Sequence, residues 1–147
     1  MASIISSEAT TRCLLVLAKP AGGPELRQLL AGRRGRRLEL RLLAPAFVRS
    51  RLQFLASDVD EGIRQARQRL ESSLAEFAAG GGVRAQGEVG EADPLLAIDS
   101  ALATFAADEI VIVRSDGGGL WAEKQLAEHA GERFAVPVRA LPPSLPV

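Results

Sequence analysis

The stretch "VRAQGEVGEADPLLAIDSALATFAADEIVIV", Val83 to Val113, changes its period twice. Val83 to Val89 alternates apolar and polar residues, the two-residue period of a strand with one wet face. Leu95, Ile98, Leu102 and Phe105 then recur at helical spacing, and "EIVIV", Glu109 to Val113, is apolar on both faces. The corner Gly90-Glu91-Ala92-Asp93 joins the first two pieces. Gly90 is expected to free the backbone as it leaves the strand, Asp93 to cap the helix, and Pro94 to take the first helical position, where its missing N–H costs nothing. Glu91 and Asp93 also favour the positive end of the helix dipole.

The same alternation extends outward in both directions. Upstream, "CLLVLA", Cys13 to Ala18, is an apolar run of strand length, and after "KPAGG" a helix can run from Pro24 through Leu30, with Gly32 as its stop. "LELRLL", Leu38 to Leu43, alternates like a second strand, and "APAFVRSRLQFLAS" is a longer connection. A long helix follows, capped by Ser57 or Asp58, with Val59, Ile63, Ala66, Leu70, Leu74 and Phe77 on one face. Arg64, Arg67, Arg69, Glu71 and Glu76 form its solvent face, and Gly80 to Gly82 end it. Downstream, "RSDGGG" leads into a helix from about Leu120 to Ala130, and "FAVPVRAL" supplies a last strand interrupted by Pro137.

Strands alternating with helices predict an α/β fold: a single-domain, Rossmann-like three-layer sandwich around a five-stranded parallel sheet. The runs at 13 to 18 and 109 to 113 belong at its centre, because central parallel strands are covered on both faces. The wet-faced strand at 83 to 89 and the proline-bearing strand belong at its edges. With right-handed crossovers the order is 3-2-1-4-5. The alternating second strand, internal in this order, fits it least well. The domain is expected over residues 12–141, after a flexible leader, 1–11, and before a loose Pro-rich tail, 142–147.

In that order the winding reverses between strands 1 and 4, and open α/β sheets bind ligands at the carboxyl ends of such strands. Two glycine-rich segments face this crevice, "AKPAGG", Ala18 to Gly23, and "RSDGGG", Arg114 to Gly119. Both lead into helix N-termini, which favour anions. The candidate binding residues are therefore Ala18, Lys19 and Pro20 with Arg114, Ser115, Asp116, Gly117, Gly118 and Gly119, and Lys19 and Arg114 supply cations for a nucleotide or another anion. No "GxGxxG" and no "GxxxxGK[ST]" occurs, so dinucleotide and P-loop fingerprints do not apply.

Composition narrows the classes further. The chain has 147 residues, 47% of them apolar, and one cysteine, which excludes an internal disulfide and suits a reducing, cytoplasmic setting. No apolar run approaches the roughly 20 residues of a membrane span. Net charge is zero but lopsided: residues 1 to 57 hold ten Lys/Arg against three Asp/Glu, and residues 58 to 147 hold eight against fifteen, giving +7 and −7. The basic surplus centres on "GRRGRRLELR", within a cluster from Arg33 to Arg51. Such a run reads as a nucleic-acid footprint or as a solvated loop, and the absence of interleaved aromatic residues favours the loop.

Taken together, the five-unit plan, the long second helix, "RSRLQFLASDVDEGIRQARQRLESSL", "GEADPLLAIDSALATFAADEIVIV" and the closing "ERFAVPV" resemble a universal stress protein domain over roughly residues 12 to 141. They are similar to its actinobacterial-type branch, whose members read like "GxVGDxDPLxAIxDALxxFxADEIVI". The resemblance implies an adenine-nucleotide pocket at the ends of strands 1 and 4 and a homodimer formed through the last strand, Val136 to Leu141. Magnesium is expected only as the companion of a bound nucleotide. ATP-binding members carry an aspartate after strand 1, where this chain has Ala18, Lys19 and Pro20. They also carry "GxxGx₉G[ST]" after strand 4, whereas here the position ten after Gly119 is His129. Half of the phosphate cradle is missing, so a degenerate pocket or a different small anion stands beside ATP.

Catalysis has little to draw on. Ser115, Asp116 and His129 are the only nucleophilic set near the crevice, but His129 lies about 15 to 20 Å along the helix axis from the other two. His129 reads instead as a helix-end residue that complements the dipole, Cys13 as an inert core thiol, and Trp121 as a core or dimer contact or a wall that stacks on a base. One histidine and one cysteine cannot build the usual zinc site. The expectation is a binding or regulatory module. A small nucleotide-acting hydrolase using Asp116, or an interaction module working through the arginine cluster, are the alternatives.

Overall fold

Leu14 to Leu17 and Ile110 to Val113 have no solvent exposure at all. Consecutive residues of a strand point to opposite faces, so both faces of these two strands must be covered. The computed structural model, which describes residues 10–31, 37–46, 59–80, 84–90, 93–113 and 121–141, places them side by side, Leu14 opposite Ile110 and Leu17 opposite Val113. The elements are β1 (Thr10–Leu17), α1 (Gly23–Leu30), β2 (Arg37–Pro45), α2 (Val59–Gly80), β3 (Arg84–Gly90), α3 (Pro94–Thr104), β4 (Glu109–Val113), α4 (Trp121–Arg133) and β5 (Val138–Leu141). They form a five-stranded sheet in the order β3-β2-β1-β4-β5, parallel at every pairing, with helices on both faces. This is the Rossmann-like α/β fold that the burial pattern predicts.

The two faces hold separate cores. Cys13, Leu15 and Leu17 pack with Leu26 and Leu29 of α1 and with Ala66, Leu70 and Phe77 of α2. Leu14 and Val16 pack on the other side with Ala97, Ile98 and Ala101 of α3, with Phe105, and with Leu126 and Ala130 of α4. Burying each large aliphatic side chain contributes about 1.5–3 kcal/mol, which makes β1 and β4 the anchor of both layers.

The alternating strand β2 becomes internal through specific partners. Leu38, Leu40 and Leu42 point into the α2 layer. Arg41, on the opposite face, meets Glu88 of β3 at 3.0 Å, and its guanidinium lies 5.0 Å from the centroid of the Phe105 ring. An ion pair and a cation–π contact thus cover a charge that an interior strand would otherwise strand.

Several boundaries differ from expectation. β1 begins at Thr10 and pairs with β2 from its first residue, and β2 continues to Pro45 because β3 pairs with it as far as Gly90. Pro137 does not interrupt β5; the strand begins after it, and Pro137 contributes only its carbonyl, which accepts the Ile110 N–H at 2.8 Å. Gly90 has a different purpose from the one expected. A Cβ there would stand 2.8 Å from both the Ala97 Cβ and the Leu43 Cδ1, so glycine lets α3 approach the sheet. Asp93 caps α3 as predicted, its carboxylate accepting the Leu95 N–H at 3.1 Å. Thr10 and Thr11, expected at the end of the leader, belong to β1. Ser57, Asp58, Gly32, Gly81, Gly82, Glu91, residues 1–9 and the tail lie outside the described residues.

Gly90→Ala is expected to lower unfolding free energy by about 1–3 kcal/mol through overpacking against Ala97, and Asp93→Ala by about 1 kcal/mol through loss of the cap. Urea titration followed by circular dichroism measures both, and a Gly90→Ala variant as stable as the parent would contradict the close-approach role.

Candidate functional site

The crevice at the carboxyl ends of β1 and β4 begins where the Ala18 N–H donates to the Val113 carbonyl at 3.0 Å. The chain then passes through Lys19, Pro20, Ala21 and Gly22 into α1. Ala21 is buried, and its N–H donates to Ser73 Oγ at 2.9 Å. The Ser73 hydroxyl in turn donates to the Arg69 carbonyl one turn back at 2.7 Å. Ser73 has no solvent exposure, and both its donor and acceptor functions are used, so the loop is pinned to α2 by a satisfied buried polar group. The Arg69 guanidinium donates to the Pro45 carbonyl at the end of β2. One turn of α2 therefore fastens both the β1–α1 loop and the last residue of β2.

The cation expected to serve a ligand here is already engaged. Glu25 folds back over the start of α1, where its Oε1 accepts the Gly22 N–H at 2.7 Å and its Oε2 lies 3.6 Å from Lys19 Nζ. The chain's own carboxylate thus occupies the position between helix N-terminus and lysine that an incoming anion would use. A second carboxylate stands close: a Cβ on Gly22 would be 3.6 Å from Glu76 Oε1. Glu25 was findable in the sequence as an acid three residues after the cap. Ser73 was findable too, since it falls on the Leu70–Phe77 face that the helical period buries.

Of the nine candidate residues, Ala18, Lys19 and Pro20 are placed at this crevice, and Arg114, Ser115, Asp116, Gly117, Gly118 and Gly119 lie outside the described residues. Trp121 is the first residue of α4, and its side chain is likewise outside the description. His129 does not end its helix. It is exposed one turn before Arg133, which occupies the last turn and meets Asp99 at 3.3 Å. Cys13 is a fully buried thiol among apolar side chains. Of the arginine cluster, Arg33, Arg34, Arg36, Arg49 and Arg51 lie outside the described residues, while Arg37 and Arg41 are placed on β2.

Among the described residues, no three His, Cys, Asp or Glu side chains gather in a way that would hold a metal ion. No described helix is long and apolar enough to cross a membrane. A cleft of about 270 Å³ opens at the opposite, amino end of the strands, lined by Thr10, Arg37, Leu38, Glu39 and Arg84. Its arginines come from strands far apart in sequence, so no local motif announces it.

Ser73→Ala is expected to cost about 1–3 kcal/mol of stability, the penalty for leaving the buried Ala21 N–H without an acceptor. Amide hydrogen exchange should locate the effect at Ala21, and unchanged protection there would contradict the anchoring role. No family model and no curated protein matches the chain.

Proposed function

We propose that the chain is a universal-stress-protein-like binding or regulatory module that holds an adenine nucleotide or another small anion at the carboxyl ends of β1 and β4. The observation that carries this reading is the strand order β3-β2-β1-β4-β5, whose winding reverses between β1 and β4 and so opens a crevice at their ends. The sequence places two glycine-rich helix entries at that point, and the segment "GEADPLLAIDSALATFAADEIVIV" supports the family resemblance. The reading includes a cytoplasmic location, a homodimer through the edge strand β5, and magnesium only as the companion of a bound nucleotide. Ligand chemistry is taken as binding without catalysis, since Ser115, Asp116 and His129 offer no connected set.

Glu25 shapes what the crevice accepts. Its carboxylate already neutralises Lys19 and the α1 N-terminus, so a phosphate must displace it or settle nearer the β4–α4 segment. Weak binding in the parent chain follows from that competition.

A thermal-shift series with ATP, ADP, AMP, cyclic nucleotides and inorganic phosphate tests the reading, because a ligand that binds the native state raises the melting temperature by mass action. At least one adenine nucleotide or phosphate is expected to do so, and a flat response across the series would overturn it. Glu25→Gln should enlarge the ligand-induced shift while lowering the ligand-free melting temperature, as a helix cap worth about 1 kcal/mol is weakened.

A further inference from the structure

We infer that the cleft at the amino edge of the sheet is a binding site for a small phosphate-type polyanion, separate from the crevice and independent of the nucleotide reading. Strand register brings its side chains together. Arg12 lies opposite Glu39 and Thr10 opposite Arg37 across β1 and β2, while Glu39 lies opposite Arg84 across β2 and β3. Residues directly opposite on neighbouring strands project to the same face, so Arg12, Arg37, Glu39 and Arg84 share one side of the sheet. Farther along that face Phe105 lies over Arg41, but Arg12, Arg37 and Arg84 are exposed.

The charge in the cleft is unbalanced. Glu39 is held by Arg12 at 3.3 Å. Arg37 and Arg84 form no ion pair with any acid among the described residues, and both line the cleft. Asp108 accepts the Arg12 N–H at 2.8 Å on the β4 side, and even with its charge counted the three arginines leave the group positive.

The size and chemistry of the cleft select among anions. Guanidinium forks on two adjacent strands favour an oxyanion that can accept from both at once, as phosphate groups do. A volume of about 270 Å³ falls below the roughly 300 Å³ at which pockets begin to enclose drug-sized ligands. Among the described residues no aromatic ring lines it, so none of them offers a nucleobase a surface to stack on. Pyrophosphate or tripolyphosphate, rather than a nucleic acid, fits these features.

The test is a titration of the ¹⁵N-labelled full chain with pyrophosphate and tripolyphosphate at low salt, followed by amide shifts. Saturable shifts are expected at Thr10, Arg37, Leu38, Glu39 and Arg84. The double variant Arg37→Gln/Arg84→Gln, altered only at exposed positions, should keep the native spectrum and bind at least about tenfold more weakly. Absence of saturable shifts, shifts confined to residues 18–25, or undiminished affinity in the double variant would overturn the assignment. So would an RNA or DNA oligonucleotide that binds these residues more tightly than tripolyphosphate does.

Discussion

The whole arrangement depends on one constraint: two adjacent strands, β1 and β4, have no face that can be left in water. Leu14 to Leu17 and Ile110 to Val113 are apolar at consecutive positions, so the sheet they start is stable only between two helical layers. Chain connectivity then divides the work, with α1 and α2 on one side and α3 and α4 on the other. That division produces the reversal of winding, and with it the crevice at the carboxyl ends. A geometric need for burial thereby fixes where the winding reverses before any polar residue is considered.

The polar residues then divide the two ends of the sheet by chemistry. At the carboxyl end, helix dipole, lysine and loop N–H are already satisfied by Glu25 and Ser73, which holds the loop in one conformation at the cost of a vacant anion position. At the amino end, Arg37 and Arg84 line an open cleft beside a neutralised glutamate. Arginine charge without an acid partner among the described residues therefore lies at the end that helix-dipole reasoning does not single out.

What could be read in the sequence was what depends on period. The apolar runs of β1 and β4 announce their central positions, and "DP" announces the start of α3 together with its cap. The internal position of β2 followed from the strand order, but what makes it tolerable came from elsewhere in the chain, because Glu88 and Phe105 are the partners that let Arg41 lie on an internal strand. Gly90 shows the same limit: its identity is set by the Cβ of Ala97 across a helix–sheet contact, and a glycine in the sequence does not reveal whether it serves conformation or space. The crevice loop was only partly legible. Lys19 was visible as a cation, but its neutralisation depends on the direction in which Glu25 folds, and the amino-edge cleft joins residues of three strands that no local spacing connects.

The attachment of two strand ends to a single turn of α2 has a mechanical consequence. Ala21 is fastened through Ser73 and Pro45 through Arg69, so the β1–α1 loop and the exit from β2 are tied to the same rigid rod. A molecule that pushes the loop aside must either rupture a buried hydrogen bond or drag that rod along its axis. Either route involves α2, a helix 22 residues long, so the cost of moving the loop is set by the packing of that helix on the sheet as much as by the loop itself.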